Sequence, residues 1–363
     1  MKTSRYHVIA IFILFTAFIS ARPLIAQDTP SLTDVVEAWL ASPHADRSSE
    51  SFSHWDEDGE VPESCATCHS GPGFMDFVGA DGSASGKVDH PAPIGSPIDC
   101  ATCHNEAATN LDTVSFPSGV IKSDLGTSSI CMVCHQGRSS SDRVDAAVVG
   151  IDIDQVSSEL SFVNIHYRAA AATLMGGSVS GGYQYEGKDY VQRFNHPAPL
   201  DTCVGCHNPH STEPVAAQCV ACHKDISGPN AIRTSTIDTD GNGDTKEGIS
   251  AEINALQDRL AKAIGTYAKE ISGKPIAYEP NSYPYFFNDT NDNGQAEPDE
   301  AVAANKYQSW TPRLLRAAYN YQFVAKDPGA WAHNPHYVIQ LLFDSIENLS
   351  EKSAVDMTGL ARP

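Results

Sequence analysis

The chain opens with an apolar run from Val8 to Ala21, preceded by Lys2 and Arg5 and followed by Pro23-Leu24-Ile25-Ala26. A basic start, an apolar stretch of about 14 residues and a small residue at Ala26 read as a signal peptide over 1–26. The run falls short of the roughly 18–20 residues that a membrane span needs. No cysteine follows it, which argues against a lipid anchor, and no second long apolar segment occurs. The expected product is an exported protein without an anchor after signal removal.

Apolar positions recur at three- and four-residue spacing in few places. A short amphipathic helix is expected over roughly Thr33–Ala41. From about 40 to 230 the chain is rich in Gly, Pro, Ser and Asp and shows little sustained period, which predicts loops. Beyond 230 the pattern changes. Ile253, Leu256, Leu260, Ile264, Tyr267 and Ile271 line one face of a helix that should stop at Gly273. Thr311-Pro312 opens a second helix through Leu314, Leu315, Ala318, Tyr319 and Phe323, closed by Asp327-Pro328-Gly329. Asn334-Pro335 opens a third through Leu341, Leu342, Ile346 and Leu349, with Asn as cap and Pro at the first helical position. The fold class is mainly α with extensive loops, a helical C-terminal part and little β. The regions read as 1–26, 27–230 and 231–363.

Composition narrows the function. With 24 Lys and Arg against 45 Asp and Glu, the net charge is −21, so the chain has nothing with which to neutralise nucleic-acid phosphates. Its 41% apolar fraction is that of a folded protein.

The ten cysteines decide the chemistry. All fall in Cys-x-x-Cys-His units: Cys65-Ala-Thr-Cys68-His69, Cys100-Ala-Thr-Cys103-His104, Cys131-Met-Val-Cys134-His135, Cys203-Val-Gly-Cys206-His207 and Cys219-Val-Ala-Cys222-His223. Five disulfides, or zinc ribbons, would account for the cysteines. Neither accounts for a histidine after the second cysteine every time. Covalent c-type haem attachment does: both thiols bond the porphyrin and the adjacent imidazole binds iron. The expectation is five covalently bound haem c groups (I to V in chain order), with His69, His104, His135, His207 and His223 as proximal ligands. Haems IV and V should be neighbours, because only 16 residues separate Cys203 from Cys219.

Each iron then needs a second axial ligand. Methionines are few, and histidines are in excess. The distal candidates are His44, His90, His166, His196, His210 and His333; His54 and His336 rank behind them. Val88-Asp89-His90-Pro91-Ala92-Pro93 and Phe194-Asn195-His196-Pro197-Ala198-Pro199 are near-copies, so His90 and His196 should share a role. His210, three residues past His207, should face a neighbouring haem. Six candidates for five irons leave at least one surplus. Bis-His ligation implies low-spin irons of rather low potential.

Two acidic loops suggest calcium. Asp289, Asn291, Asn293, Gly294 and Glu300 match positions 1, 3, 5, 6 and 12 of a calcium loop, with Gln295 at position 7. Asp238, Asp240, Asn242, Gly243 and Asp244 match the first half of a second. Ile249 stands at its position 12, so Glu247 or Glu252 would complete the shell. Ion-free Asx turns would look the same in sequence.

With these motifs, and with the segments Trp310-Thr-Pro-Arg-Leu-Leu-Arg-Ala-Ala-Tyr-Asn-Tyr and Ala332-His333-Asn334-Pro335, the chain resembles exported multihaem cytochromes c. Within them it looks most like the outer-surface proteins of extracellular electron transfer, some of which polymerise into haem-lined filaments. The resemblance implies a haem-packed fold and an electron carrier rather than an enzyme. It implies redox partner proteins or an extracellular acceptor, and a cell-surface or periplasmic location. In such filaments a histidine of one subunit completes a haem of the next, a role expected here of His44. The alternatives are a soluble periplasmic shuttle and a reductase like pentahaem nitrite reductase. The active haem of that enzyme uses a motif ending in Lys, whereas all five motifs here end in His.

Overall fold

The computed structural model describes residues 30–363; the signal-peptide reading lies outside them. The fold is mainly helical, with long connections and three small antiparallel pairs: Glu60–Val61 with Ala92–Pro93, Val114–Ser115 with Ile121–Lys122, and Ile276–Tyr278 with Phe286–Asn288. Among the described residues no helix is long and apolar enough to cross a membrane.

The three C-terminal helices fall where the periodicity puts them: Ile249–Tyr267, Pro312–Ala325 and Pro335–Ser350. The first continues through one π turn, Ala268–Ser272, to Gly273 in the left-handed region, a conformation that costs glycine no Cβ clash. The other two start as their sequences dictate. The Thr311 hydroxyl accepts from the Leu314 N–H (3.1 Å) and the Asn334 side chain from the Tyr337 N–H (3.2 Å), each with proline at the next position.

Their apolar faces meet in a core of fully buried side chains, including Leu256, Leu260, Tyr267, Leu314, Phe323, Tyr337, Leu341 and Ile346. The same cluster takes in Met132, Val144, Ile165, Ala172 and Tyr183 from the cysteine-bearing region. The helices therefore do more than cover cofactors. They are the apolar scaffold on which the middle of the chain is seated, each buried large side chain contributing about 1.5–3 kcal/mol. Arg313, nearly inaccessible, crosses this scaffold. Its guanidinium donates to Asp154 (2.6 Å), Glu351 (2.6 Å) and the Asn348 carbonyl (2.6 Å).

The N-terminal helix, Leu32–Leu40, is closed by a capping box between Ser31 and Asp34. It buries none of its residues. The Trp39 indole N–H ties it to the Ile98 carbonyl (2.9 Å), and the Ile98 N–H reaches the His44 carbonyl (3.1 Å). These two bonds fix where His44 stands.

Candidate haem-binding sites

Every Cys-x-x-Cys-His unit is wound into a single helical turn. The segments are Glu63–His69, Cys100–Cys103, Ser128–Cys134, Cys203–Cys206 and Ala216–Cys222. In four units the histidine N–H donates to the carbonyl of the first cysteine, at 2.8 Å (His104), 3.0 Å (His135), 2.9 Å (His207) and 2.9 Å (His223). One turn thus presents two thiols and an imidazole together. The turns are nucleated by side chains: Asp99 accepts from the Thr102 N–H (3.0 Å) and Thr202 from the Gly205 N–H (3.1 Å). All ten thiols are free; none is in a disulfide.

The second histidines come from far away in sequence. Ring centroids are 5.7 Å apart for His69 and His166, 6.2 Å for His104 and His210, 6.4 Å for His135 and His44, and 6.3 Å for His207 and His333. Two imidazoles sharing one iron through bonds of about 2 Å place their centroids about 6 Å apart. The four spacings fit an iron between the rings. His196 lies near His223: burial, and then the charge of His223, lower its pKa. Four proximal histidines therefore have a distal candidate ring beside them in the same chain, and His196 is the candidate within reach of the charge of the fifth, His223.

The state of these rings suits ligation, which requires neutral imidazole. Burial, and then the neighbouring His135, pulls His44 down to about 4; burial, and then His69, does the same to His166. Proximal rings are oriented through Nδ1–H. His69 donates to the Ser51 carbonyl (2.8 Å), His135 to the Arg168 carbonyl (3.1 Å) and His207 to the Thr212 carbonyl (2.9 Å). His166 is held with φ at +78°, its N–H bonded to the Asn164 side chain (2.9 Å).

The near-copies His90 and His196 stand in different surroundings. The exposed His90 ring donates through Nδ1 to Asp89 (2.7 Å) and lies 3.2 Å from Asp76. Unlike His44, His166, His210 and His333, it has no motif histidine among its ring neighbours. The His44 ring is half-buried and lies beside His135 of its own chain. The lower-ranked His54 bonds Glu50 (2.7 Å) and packs on Trp55, which in turn packs on His69. His336 sits half-buried in the first turn of the last helix.

The attachment turns are contiguous. The Cys134 thiol reaches the Thr67 carbonyl (3.7 Å) and the Cys68 thiol the Val133 carbonyl (4.0 Å), so motifs I and III abut. The Cys203 N–H donates to the Ser128 hydroxyl (3.2 Å) at the start of the motif III helix, joining III to IV. Cys103 of II lies close enough to both motif III thiols to raise them, and Cys219 of V close enough to raise Cys206 of IV. Motif III is thus the hub.

The comparisons with known proteins agree with this chemistry. Over 358 residues the chain is 28% identical to the "C-type polyheme cytochrome OmcB" of Geobacter sulfurreducens, covering 82% of this chain and 45% of that protein. Over 398 residues it is 28% identical to OmcC of the same organism, covering 92% and 48%. The chain is homologous to polyhaem c-type cytochromes. It spans about half the length of these curated relatives. A scan of protein-family models matches none. The "Outer Cell Wall Cytochrome OcwA" superposes with a TM-score of 0.43 at 16% identity, over 87% of this chain and 50% of that one.

Sequence reasoning passed over two charged groups beside the ligands. Asp327 accepts from His333 Nδ1 at 2.8 Å. Arg138 lies near the Cys68 thiol, His69 and His166 and lowers the pKa of all three. Asp327 had been read only as a helix stop.

Both acidic loops are wound for oxygen ligation. In the 289–300 loop Asp289 accepts from the Asn293 (3.2 Å) and Gly294 (2.7 Å) N–H groups, Asn291 from Asn293 (3.0 Å) and Asn293 from Gln295 (2.8 Å). Glu300 closes it on the Thr290 N–H (2.7 Å). The 238–244 loop repeats the pattern: Asp238 accepts from Gly241 and Gly243 (2.7 Å each), Asp240 from Asn242 (3.1 Å), Asn242 from Asp244 (2.7 Å), and Asp244 from Lys246 (2.8 Å). Here the closing carboxylate is Glu252, which accepts from the Thr239 N–H (3.3 Å) as Glu300 does from Thr290. Carboxylate oxygens of Asp238, Asp240 and Glu252 lie within 4.8 Å of one another. Glu247 instead bonds the Asn242 amide (2.6 Å). The helix starting at Ile249 places Glu252 in its first turn, facing back onto the loop. Glu252 also pairs with Arg233 at 2.5 Å.

Proposed function

We propose that the protein is an exported electron carrier that holds five bis-His haems c, and that electrons pass between haems along the contiguous attachment turns. The observation that carries this reading is the pairing of four motif histidines with a second histidine of the same chain, at ring spacings of 5.7 to 6.4 Å. Bound haem supplies one-electron chemistry; the chain fixes separation, axial ligands and surroundings, and hence potentials. His69 with His166, His104 with His210, His135 with His44, His207 with His333 and His223 with His196 are the ligand sets. Five closed iron coordination shells leave no face for a substrate, which favours carriage over a reductase activity. The names of the relatives support multihaem electron transfer, and those of outer cell-wall and polyhaem cytochromes suit a location outside the cytoplasm.

A chain that ligates its own five irons needs no ligand from a neighbour. His90, exposed and in none of the ring pairs, then has no iron left to complete. Calcium in the two acidic loops is the structural companion of the haems, with Asp238, Asp240, Asn242 and Glu252 in one shell and Asp289, Asn291, Asn293 and Glu300 in the other. The deciding experiment is intact-mass spectrometry of the native protein together with its ferric spectrum. Five haem masses and wholly low-spin iron are expected. Fewer haems, or a high-spin fraction that binds cyanide, would sink the carrier reading and favour a reductase.

A further inference from the structure

The five ligand pairs are not equivalent in what lies behind the imidazoles. Where His69, His135 and His207 donate to neutral carbonyls, His333 donates to a carboxylate, with Nδ1 at 2.8 and 3.0 Å from the two oxygens of Asp327. The other two carboxylate-bonded histidines, His54 and His90, stand in no ligand pair. Asp327 is buried, so water does not screen its charge from the ring.

The local sequence builds this contact. Asp327-Pro328-Gly329 ends one long helix and leads into the short Ala330–His333 helix. The Gly329 N–H donates to the Asp327 carboxylate (3.1 Å) and fixes it, while the His333 N–H donates to the Gly329 carbonyl (2.9 Å). Gly329 is required for space: a Cβ there would lie 2.6 Å from Cε1 of His333. A residue read as a stop signal is therefore held, six positions ahead, against the far side of a candidate iron ligand.

We infer that Asp327 is a positioning and tuning residue for the haem attached at Cys203 and Cys206, making that haem the hardest of the five to reduce. The inference rests on the five-haem reading. A carboxylate that accepts the Nδ1 proton increases the basicity of the ring nitrogen on iron, and a stronger donor favours ferric over ferrous iron, lowering the potential. No other pair among the described residues carries an anionic acceptor. Motif IV adjoins III through the Cys203 N–H on the Ser128 hydroxyl (3.2 Å) and V through the Val215 N–H on the Cys206 carbonyl (2.8 Å), so the low-potential haem lies between two easier ones. It separates the haem I, II and III cluster from haem V.

The test is a spectroelectrochemical titration of the holoprotein, wild type beside Asp327→Asn and Asp327→Glu, with His333→Ala to identify the haem IV component by its change to high spin. The wild type should show one haem reducing below the other four, and it should be the one that His333→Ala alters. Asp327→Asn should raise that midpoint by at least the equivalent of tenfold in the reduction equilibrium, 59 mV for one electron. Haem count, low-spin state and the other midpoints should stay put. Asp327→Glu should restore much of the wild-type value. An unmoved haem IV midpoint in a five-haem, low-spin Asp327→Asn protein overturns the tuning role alone. Should that variant fail to load haem, a wild type whose haem IV is not the lowest overturns it equally. A wild type lacking five haems would instead refute the underlying function.

Discussion

Replacing His166 separates two roles of one residue. It faces His69, Nε2 to Nε2, at 3.5 Å, and its backbone sits at φ +78°, a region that penalises any residue with a Cβ. The fully buried Ile165 and the bond from the Arg168 N–H to the Lys326 carbonyl (3.0 Å) hold the segment in place. His166→Ala and His166→Gly both remove the imidazole, so each should turn one haem high-spin and leave four low-spin, and added imidazole should reverse the change. Their stabilities should differ. A Cβ in the left-handed region costs about 1–2 kcal/mol. Glycine gives back about 0.4–1 kcal/mol through its freer unfolded chain. The Gly variant should therefore be more stable by about 0.5–1 kcal/mol, roughly 2 °C in melting temperature for a chain of this size. Spectra and calorimetry of the two holoproteins side by side decide it. Unchanged low-spin spectra would remove His166 from the ligand set. An Ala variant at least as stable as the Gly variant would refute the strain argument.

The acidic loops give a metal-dependent prediction. Removing calcium should lower the melting temperature, by the equivalent of about 2.7 kcal/mol for each occupied loop when free calcium had stood at a hundred times Kd. Glu300→Gln and Glu252→Gln should each diminish that effect, and a chelator-insensitive wild type would mean ordinary turns. At the first haem site, a Cβ on Gly73 would meet the Ala66 carbonyl and lie 2.6 Å from the Ala66 Cβ. Gly73→Ala should cost about 1–3 kcal/mol and yield a four-haem species by mass; full loading with unchanged stability would contradict it.

What could be read in the sequence is what depends on neighbours along the chain. The five motifs place both thiols and a histidine within one turn, and Thr311-Pro312 and Asn334-Pro335 specify helix starts through bonds three residues long. Distal pairing is different in kind. That His166 meets His69, and not His104, follows from how Ile165 and the Pro312–Ala325 helix pack, which no local pattern records. The near-copies around His90 and His196 share local spacing, but what each ring meets is set by distant parts of the chain that a repeat does not record. Glu252 was harder to rank above Glu247 because a helix start at Ile249 decides which carboxylate faces the loop. Asp327 escaped notice because a helix-stop role already explained Asp-Pro-Gly.

The pairing of His69 with His166 spans 97 residues, and His44 with His135 and His333 with His207 reach comparably far. Iron held at both ends closes those spans into rings. Closing a ring of about 100 residues removes unfolded-chain entropy worth about 4.7 kcal/mol when a disulfide does it, and coordination does the same for as long as the bond holds. On the proposed ligation the irons would be cross-links as well as relays, so that losing one distal histidine would open a long loop of chain along with one coordination shell.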